Sequence, residues 1–160
     1  MEKVCGFQGE YDFLNNDYPC KIFCQEDGLT YSNVTSALIA HKTNDIGARR
    51  KIARLSGAKA RKKESLLYGN DEYEYTKDDI LYKLLYIKFN SNNKLKEKLL
   101  STKNKQLLNI VSYPDTEYGI YLGNGKNNLG KMLMKLRDEL GSSNTKKVVN
   151  KVINKVKSII

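Results

Sequence analysis

From Gly28 to Thr43 the chain reads Gly-Leu-Thr-Tyr-Ser-Asn-Val-Thr-Ser-Ala-Leu-Ile-Ala-His-Lys-Thr, and few backbone paths suit that order. Gly28 follows Glu26 and Asp27 as a turn residue able to take positive φ, and Leu29-Thr30-Tyr31 is short and β-favouring. Lys21-Ile22-Phe23-Cys24 supplies the partner strand of a hairpin. Ser32 or Asn33 can cap the helix that follows, because a short polar side chain accepts from the first unpaired amides. Val34, Ala37, Leu38 and Ala40 give that helix little bulk, so it can pack closely, and its first turn is expected to offer N–H groups to an anion. A buried structural helix and a ligand-binding one both fit this stretch.

Downstream, Asn44 and Asp45 open a second helix, Ser56-Gly57 breaks it, and a short basic helix resumes at Ala58. Arg61-Lys62-Lys63 reads as a solvated face, with a binding site as the alternative that the net charge favours. Thr76 is expected to cap the main core helix, where Ile80, Leu81, Leu84, Leu85, Ile87 and Phe89 recur at helical spacing. The segment Tyr11–Cys20 mixes aromatics with turn formers and reads as a packed loop. Gly123, Gly125 and Gly130 can let backbone amides form an anion-binding concavity, but no Gly-Lys-Ser/Thr follows, which excludes a P-loop. Asn127 to Leu140 reads as an amphipathic helix, and Gly141-Ser142-Ser143-Asn144 as a linker.

Charge enters at the tail. Residues 142–160 carry Lys146, Lys147, Lys151, Lys155 and Lys157 without an acidic residue, beside a stripe of Val and Ile. The formal net charge of the 160-residue chain is +10, which favours partners bearing phosphate. The tail is either a last helix packed on the domain or a basic amphipathic arm for RNA, DNA, a large nucleoprotein assembly or a membrane surface. No apolar run reaches the length of a membrane span. Three cysteines, Cys5, Cys20 and Cys24, without a signal-peptide pattern predict reduced thiols and a cytoplasmic, intracellular location. Cys20, Cys24 and His41 lack a metal-site spacing, so no metal and no cofactor is expected, and His41 reads as structural.

Several strings together resemble the NADAR family, the YbiA-like N-glycosidases. Phe7–Cys20 is similar to F-x-G-x-x-x-F-L-S-N-F-Y-P-C, and Gly28–Thr43 to G-x-x-Y-x-S-V-E-x-A-F-Q-A-x-K. Leu55-Ser56-Gly57-Ala58 matches in place, Ile80–Phe89 resembles a helix ending L-x-x-K-F, and Asp115–Gly119 resembles D-x-F-W-G. Gly125–Arg137 is similar to G-x-N-x-L-G-x-x-L-M-x-x-R. The resemblance spans residues 7–140. It implies an α+β, mostly helical fold with short N-terminal strands, a domain over 1–141 and a C-terminal helical extension over 142–160. It also implies binding, with hydrolysis of N-glycosidic bonds, of ADP-ribose-like or ribosyl-phosphate compounds such as early riboflavin-pathway intermediates and ADP-ribosylated nucleobases. By that resemblance Asn16, Lys42, Asp115, Tyr118, Gly119 and Asn127 line the pocket, with phosphate near the glycine-rich turn at Gly125.

The departures bear on the chemistry. Cleaving a ribosyl C–N bond builds positive charge on the sugar, which a carboxylate stabilises. The family glutamate falls at Thr35, so the resemblance reads as an N-glycosidase impaired or inactive at that step unless Asp17, Asp115 or Glu117 supplies a relocated carboxylate. Asp115 is the candidate carried forward. Tyr118 stands for a tryptophan, Asp17 for an aromatic, Asn109 for an acid and Ser65 for an arginine. The alternative is a catalytically inactive module that serves a nucleoprotein assembly through its basic surface and tail.

Overall fold

The computed structural model describes the backbone of residues 1–159 and the side chains of 1–142 and 150–159. It divides into two units, Gly6–Leu95 and Met1–Cys5 with Lys96–Ile160.

In the first unit the hairpin forms as its sequence dictates. Strand β2 (Ile22–Cys24) pairs antiparallel with β3 (Leu29–Tyr31), Ile22 opposite Tyr31. At the turn Asp27 Oδ1 accepts from the Leu29 N–H at 2.9 Å and Gly28 takes φ +72°. The Tyr31 hydroxyl and Arg49 donate to Asp27 Oδ2 at 2.6 and 3.1 Å, and the Asp27 and Arg49 side chains are only 3% and 12% exposed. A buried ion pair therefore fastens the hairpin to the helix that carries Arg49.

Helix α1 (Val34–Ala40) is capped by Asn33, whose side chain accepts from the Ser36 N–H at 2.7 Å. Seven residues are too few to hold a helix alone, and its support is tertiary. Ser32 Oγ, Asn33 Nδ2 and Ser36 Oγ all donate to the Leu55 carbonyl, at 2.7, 2.9 and 2.7 Å. Two of the first-turn amides expected to face an anion are already engaged: Thr35 N–H donates to Asn16 O at 3.1 Å and Ser36 N–H to the cap.

Around α1 lie α2 (Ile46–Ala53), α3 (Gly57–Lys63) and α4 (Tyr73–Asn90). Asp45 and Ser56 cap α2 and α3 as short polar residues should. Helix α4 starts ahead of the expected cap: Thr76 lies inside its first turn and donates to Glu72 O at 2.9 Å. Leu81, Leu84, Leu85 and Phe89 are buried as their spacing predicts. The Tyr11–Cys20 loop begins within a 3-10 turn, Gly9–Leu14, which buries Phe13 edge-on against Phe89.

In the second unit β1 (Lys3–Cys5) runs parallel to β4 (Gln106–Leu108). Helix α5 (Asn93–Ser101) precedes β4, and α6 (Asn128–Ile159) follows the glycine-rich loop. Leu129, Leu133, Leu136 and Leu140 bury one face of α6. Where a linker was expected at Gly141–Asn144, α6 continues unbroken. One glycine costs a helix interior only about 1 kcal/mol, too little to stop a helix this long. Among the described residues, no helix is long and apolar enough to cross a membrane.

Candidate functional site

Along α1, Val34, Ser36, Ala37, Ile39 and Ala40 are buried, whereas Thr35 keeps partial access to solvent. Its hydroxyl donates to Asp17 Oδ1. The same carboxylate receives both arms of the Arg61 guanidinium, at 2.9 and 2.6 Å. Asp17 is aimed by its own turn, its N–H donating to Asn15 Oδ1 at 2.9 Å. Gly57 makes the seat, since a Cβ added there would collide with the Asp17 carboxyl group. Partial burial alone would raise the Asp17 carboxyl. The hydrogen bonds from Arg61 and Thr35, with the charges of Arg61 and Lys88, outweigh that and hold it below the usual carboxylate range. Thr35 and Asp17, two departures from the family pattern, are therefore a single contact.

Beside them is a residue that sequence reading passed over. Lys88 is 1% exposed on α4; its Nζ donates to Asn15 O at 3.0 Å and lies 5.5 Å from the Tyr18 ring centroid. Burial pulls it down to about 8, against the opposing charges of Cys20, Asp12 and Asp17. Its only signal in the sequence is the lysine of the L-x-x-K-F string, hidden by the apolar spacing around it. Asn16, an expected ligand contact, has its side-chain Oδ1 buried without a hydrogen-bond partner among the described residues. A buried lysine and an unsatisfied amide oxygen cost stability and are retained where a site needs them.

Lys88→Met is expected to leave stability at neutral pH unchanged or to raise it by about 1–2 kcal/mol, since an apolar side chain of similar length removes a buried charge. With its folded value below the unfolded 10.5, the native chain binds fewer protons between about 8 and 10.5, so native stability rises with pH through that window. The variant should lose that rise. Urea unfolding on both sides of the window checks it, and an unchanged pH slope would refute the assignment.

The other expected residues fall as follows. Lys42 Nζ pairs with Glu64 Oε1 at 2.7 Å and sits over the Tyr73 ring at 5.4 Å. In the second unit Asp115 Oδ1 accepts from the N–H groups of Glu117 and Tyr118, at 3.1 and 2.9 Å, and so shapes the turn that presents Tyr118. Asn127 is 6% exposed, and its amide is engaged at both ends: Oδ1 accepts from the Asn109 N–H and Nδ2 donates to Leu107 O. The Asn109 Nδ2 donates to Tyr118 O at 3.1 Å, a bond that an ionised acid could not make. Gly125 has φ +151°, and a Cβ there would strike Gly119 O. Asp115, Tyr118, Gly119, Gly125 and Asn127 thus form one locally braced loop. Asn16, Asp17 and Thr35 form another constellation, in the first unit.

Arg61, Lys62 and Lys63 are exposed, as a solvated face requires, and Arg61 also holds Asp17. His41 is structural at Nδ1, which donates to Ala37 O at 2.6 Å. The three cysteines are free, with burial raising Cys20 and pushing Cys24 up to about 11. Among the described residues no cluster of His, Cys, Asp and Glu could hold a metal. Lys151, Lys155 and Lys157 are exposed along α6, while the side chains of Lys146 and Lys147 lie outside the described residues.

The family model described as NADAR domain matches residues 6–141. The fold is similar to the NMR structure of the E. coli protein YbiA, with a TM-score of 0.77 and 25% identity, covering 91% of this chain and 89% of that one. No curated protein matches the chain.

Proposed function

The chain belongs to the NADAR domain family, and from that premise we propose that it binds an ADP-ribose-like or ribosyl-phosphate compound and hydrolyses its N-glycosidic bond, with Asp17 supplying the carboxylate that Thr35 lacks. The observation that carries this reading is the Thr35 hydroxyl on the Asp17 carboxylate. As the C–N bond breaks, the electron pair leaves with the base and positive charge spreads over the ribose C1′ and ring oxygen. A fixed carboxylate stabilises that charge and orients the water that attacks C1′, and the proton the water loses ends on the departing base. With its acidity strengthened, Asp17 is a weak base, so its contribution is electrostatic.

Arg61 opposes it while the ligand is absent. Its side chain is 51% exposed, and a ligand phosphate competes with Asp17 for the same fork, which couples binding to release of the carboxylate. Asn16 offers its unsatisfied oxygen to a ribose hydroxyl. Incubation with ADP-ribosylated guanine DNA and with ribosylaminopyrimidine phosphates tests the reading. Release of the free base supports it; neither turnover nor binding of any such compound refutes it.

A second reading, a binding role through the basic surface, has one observation in its favour. Residues 150–159 are exposed throughout, with Lys151, Lys155 and Lys157 beside Val152, Ile153, Val156 and Ile159. It predicts salt-dependent binding of RNA or DNA that disappears when 142–160 are deleted. Binding indifferent to the deletion, or absent from the whole chain, would reject it.

A further inference from the structure

The first unit has a cavity of about 550 Å³ between the hairpin and α4, and none of the residues assigned to N-glycosyl chemistry lines it. Its apolar walls are Phe23, Ile80, Leu84, Tyr86 and Ile87, and Gln25 is among the polar residues that complete the lining. Phe23 and Tyr86 keep 55% and 44% exposure, so flat apolar surface stands open at the mouth. The volume lies in the range of small-molecule sites, which pair apolar walls with a few placed polar groups.

One such group is His41, at the C-terminal end of α1. Its Nδ1 lies 2.6 Å from the Ala37 carbonyl, which can only accept, so Nδ1 carries the proton. Nε2 then holds a lone pair, and no described residue bonds to it. Burial, with the nearby Arg49 charge, lowers the His41 value against the opposing Ala37 bond and Asp27 charge, so the ring stays neutral near pH 7. Three charged residues lie at the cavity: Lys83 and Glu26 pair with each other, and Asp79, exposed on α4, adds a second carboxylate.

We propose that this cavity is a second ligand site, which takes a neutral, flat heteroaromatic molecule whose single N–H or O–H donates to His41 Nε2. An anionic or phosphorylated ligand is disfavoured, because the walls are apolar and the only cation there is already paired at the rim. A flat ring finds Phe23 and Tyr86 to stack on and Leu84 and Ile87 beneath.

Indole and 1-methylindole make the test, being alike in shape and differing in the one N–H. Titrated into the ¹⁵N-labelled full chain, indole should give saturable shifts in the amides of Phe23, Ile80, Leu84 and Ile87, while 1-methylindole binds roughly fivefold more weakly. In His41→Phe the two should bind alike. Shifts that do not saturate, that map elsewhere, or that are equal for the two probes in the native chain would overturn the proposal. Because the comparison is made first on the native chain, it stands even if the variant fails to fold. The cavity contains no residue of the proposed hydrolytic site, so N-glycosidase assays report independently.

Discussion

Asp17→Asn is expected to slow release of the base by about 10²-fold or more, the usual scale for removing an electrostatic stabiliser, without weakening binding, since the Arg61 fork loses its charged competitor. The asparagine keeps the shape and still accepts from Thr35, but it carries no charge to stabilise the ribosyl cation. Thr35→Glu alone should not rescue the family arrangement. It sets a second carboxylate against the first, where like charges in contact resist joint ionisation. Asp17→Phe with Thr35→Glu, which restores the family pattern at both positions, should recover activity that either single change lacks. That non-additivity marks residues acting as a pair. Arg61→Met should raise KM more than it lowers kcat, as lost phosphate binding would. Unchanged kcat in Asp17→Asn would remove Asp17 from the mechanism.

Asp27→Asn should destabilise the fold by about 3 kcal/mol or more, because it strands the Arg49 charge in a buried place. The lost charge also weakens the bonds from Tyr31 and Leu29 that shape the hairpin turn. Tyr31→Phe removes one hydrogen bond and should cost about 1 kcal/mol. Urea denaturation of both variants measures the contrast. Equal and small losses would mean that the pair adds nothing beyond packing. On acidification the Asp27 contribution is lost as pH falls through its lowered folded value: burial alone would raise it, but the bonds from Tyr31, Leu29 and Arg49 outweigh that, so it binds its proton less readily than in the unfolded chain.

The hairpin, the capped small helix and the apolar spacing of α4 were legible because each is written in neighbouring residues. Thr76 misled because a threonine in a first turn looks the same whether it caps the helix or bonds back to Glu72. Gly141 misled because a break residue in sequence is only a modest cost in space. The site was legible in its parts but not in its pairing. Thr35 reads as a lost glutamate and Asp17 as a lost aromatic, and nothing local says that the two meet. Arg61, 44 positions beyond Asp17, looked like one of a run of cations because its partner is remote. Lys88 was concealed by its leucine neighbours. The family strings marked these segments, and three-dimensional contact showed which of their residues meet.

The three side-chain donors gathered on the Leu55 carbonyl have a consequence for how the protein is made. A nascent chain that has emerged only as far as His41 holds the sequence of α1 but not the acceptor that secures its first turn. The Arg61 guanidinium that shares Asp17 with Thr35, and the buried cation Lys88 beside them, lie further along the chain. The constellation is therefore complete only once α4 has been made. A fragment released early carries none of the proposed chemistry, so an unfinished chain has no partial version of the activity to misapply.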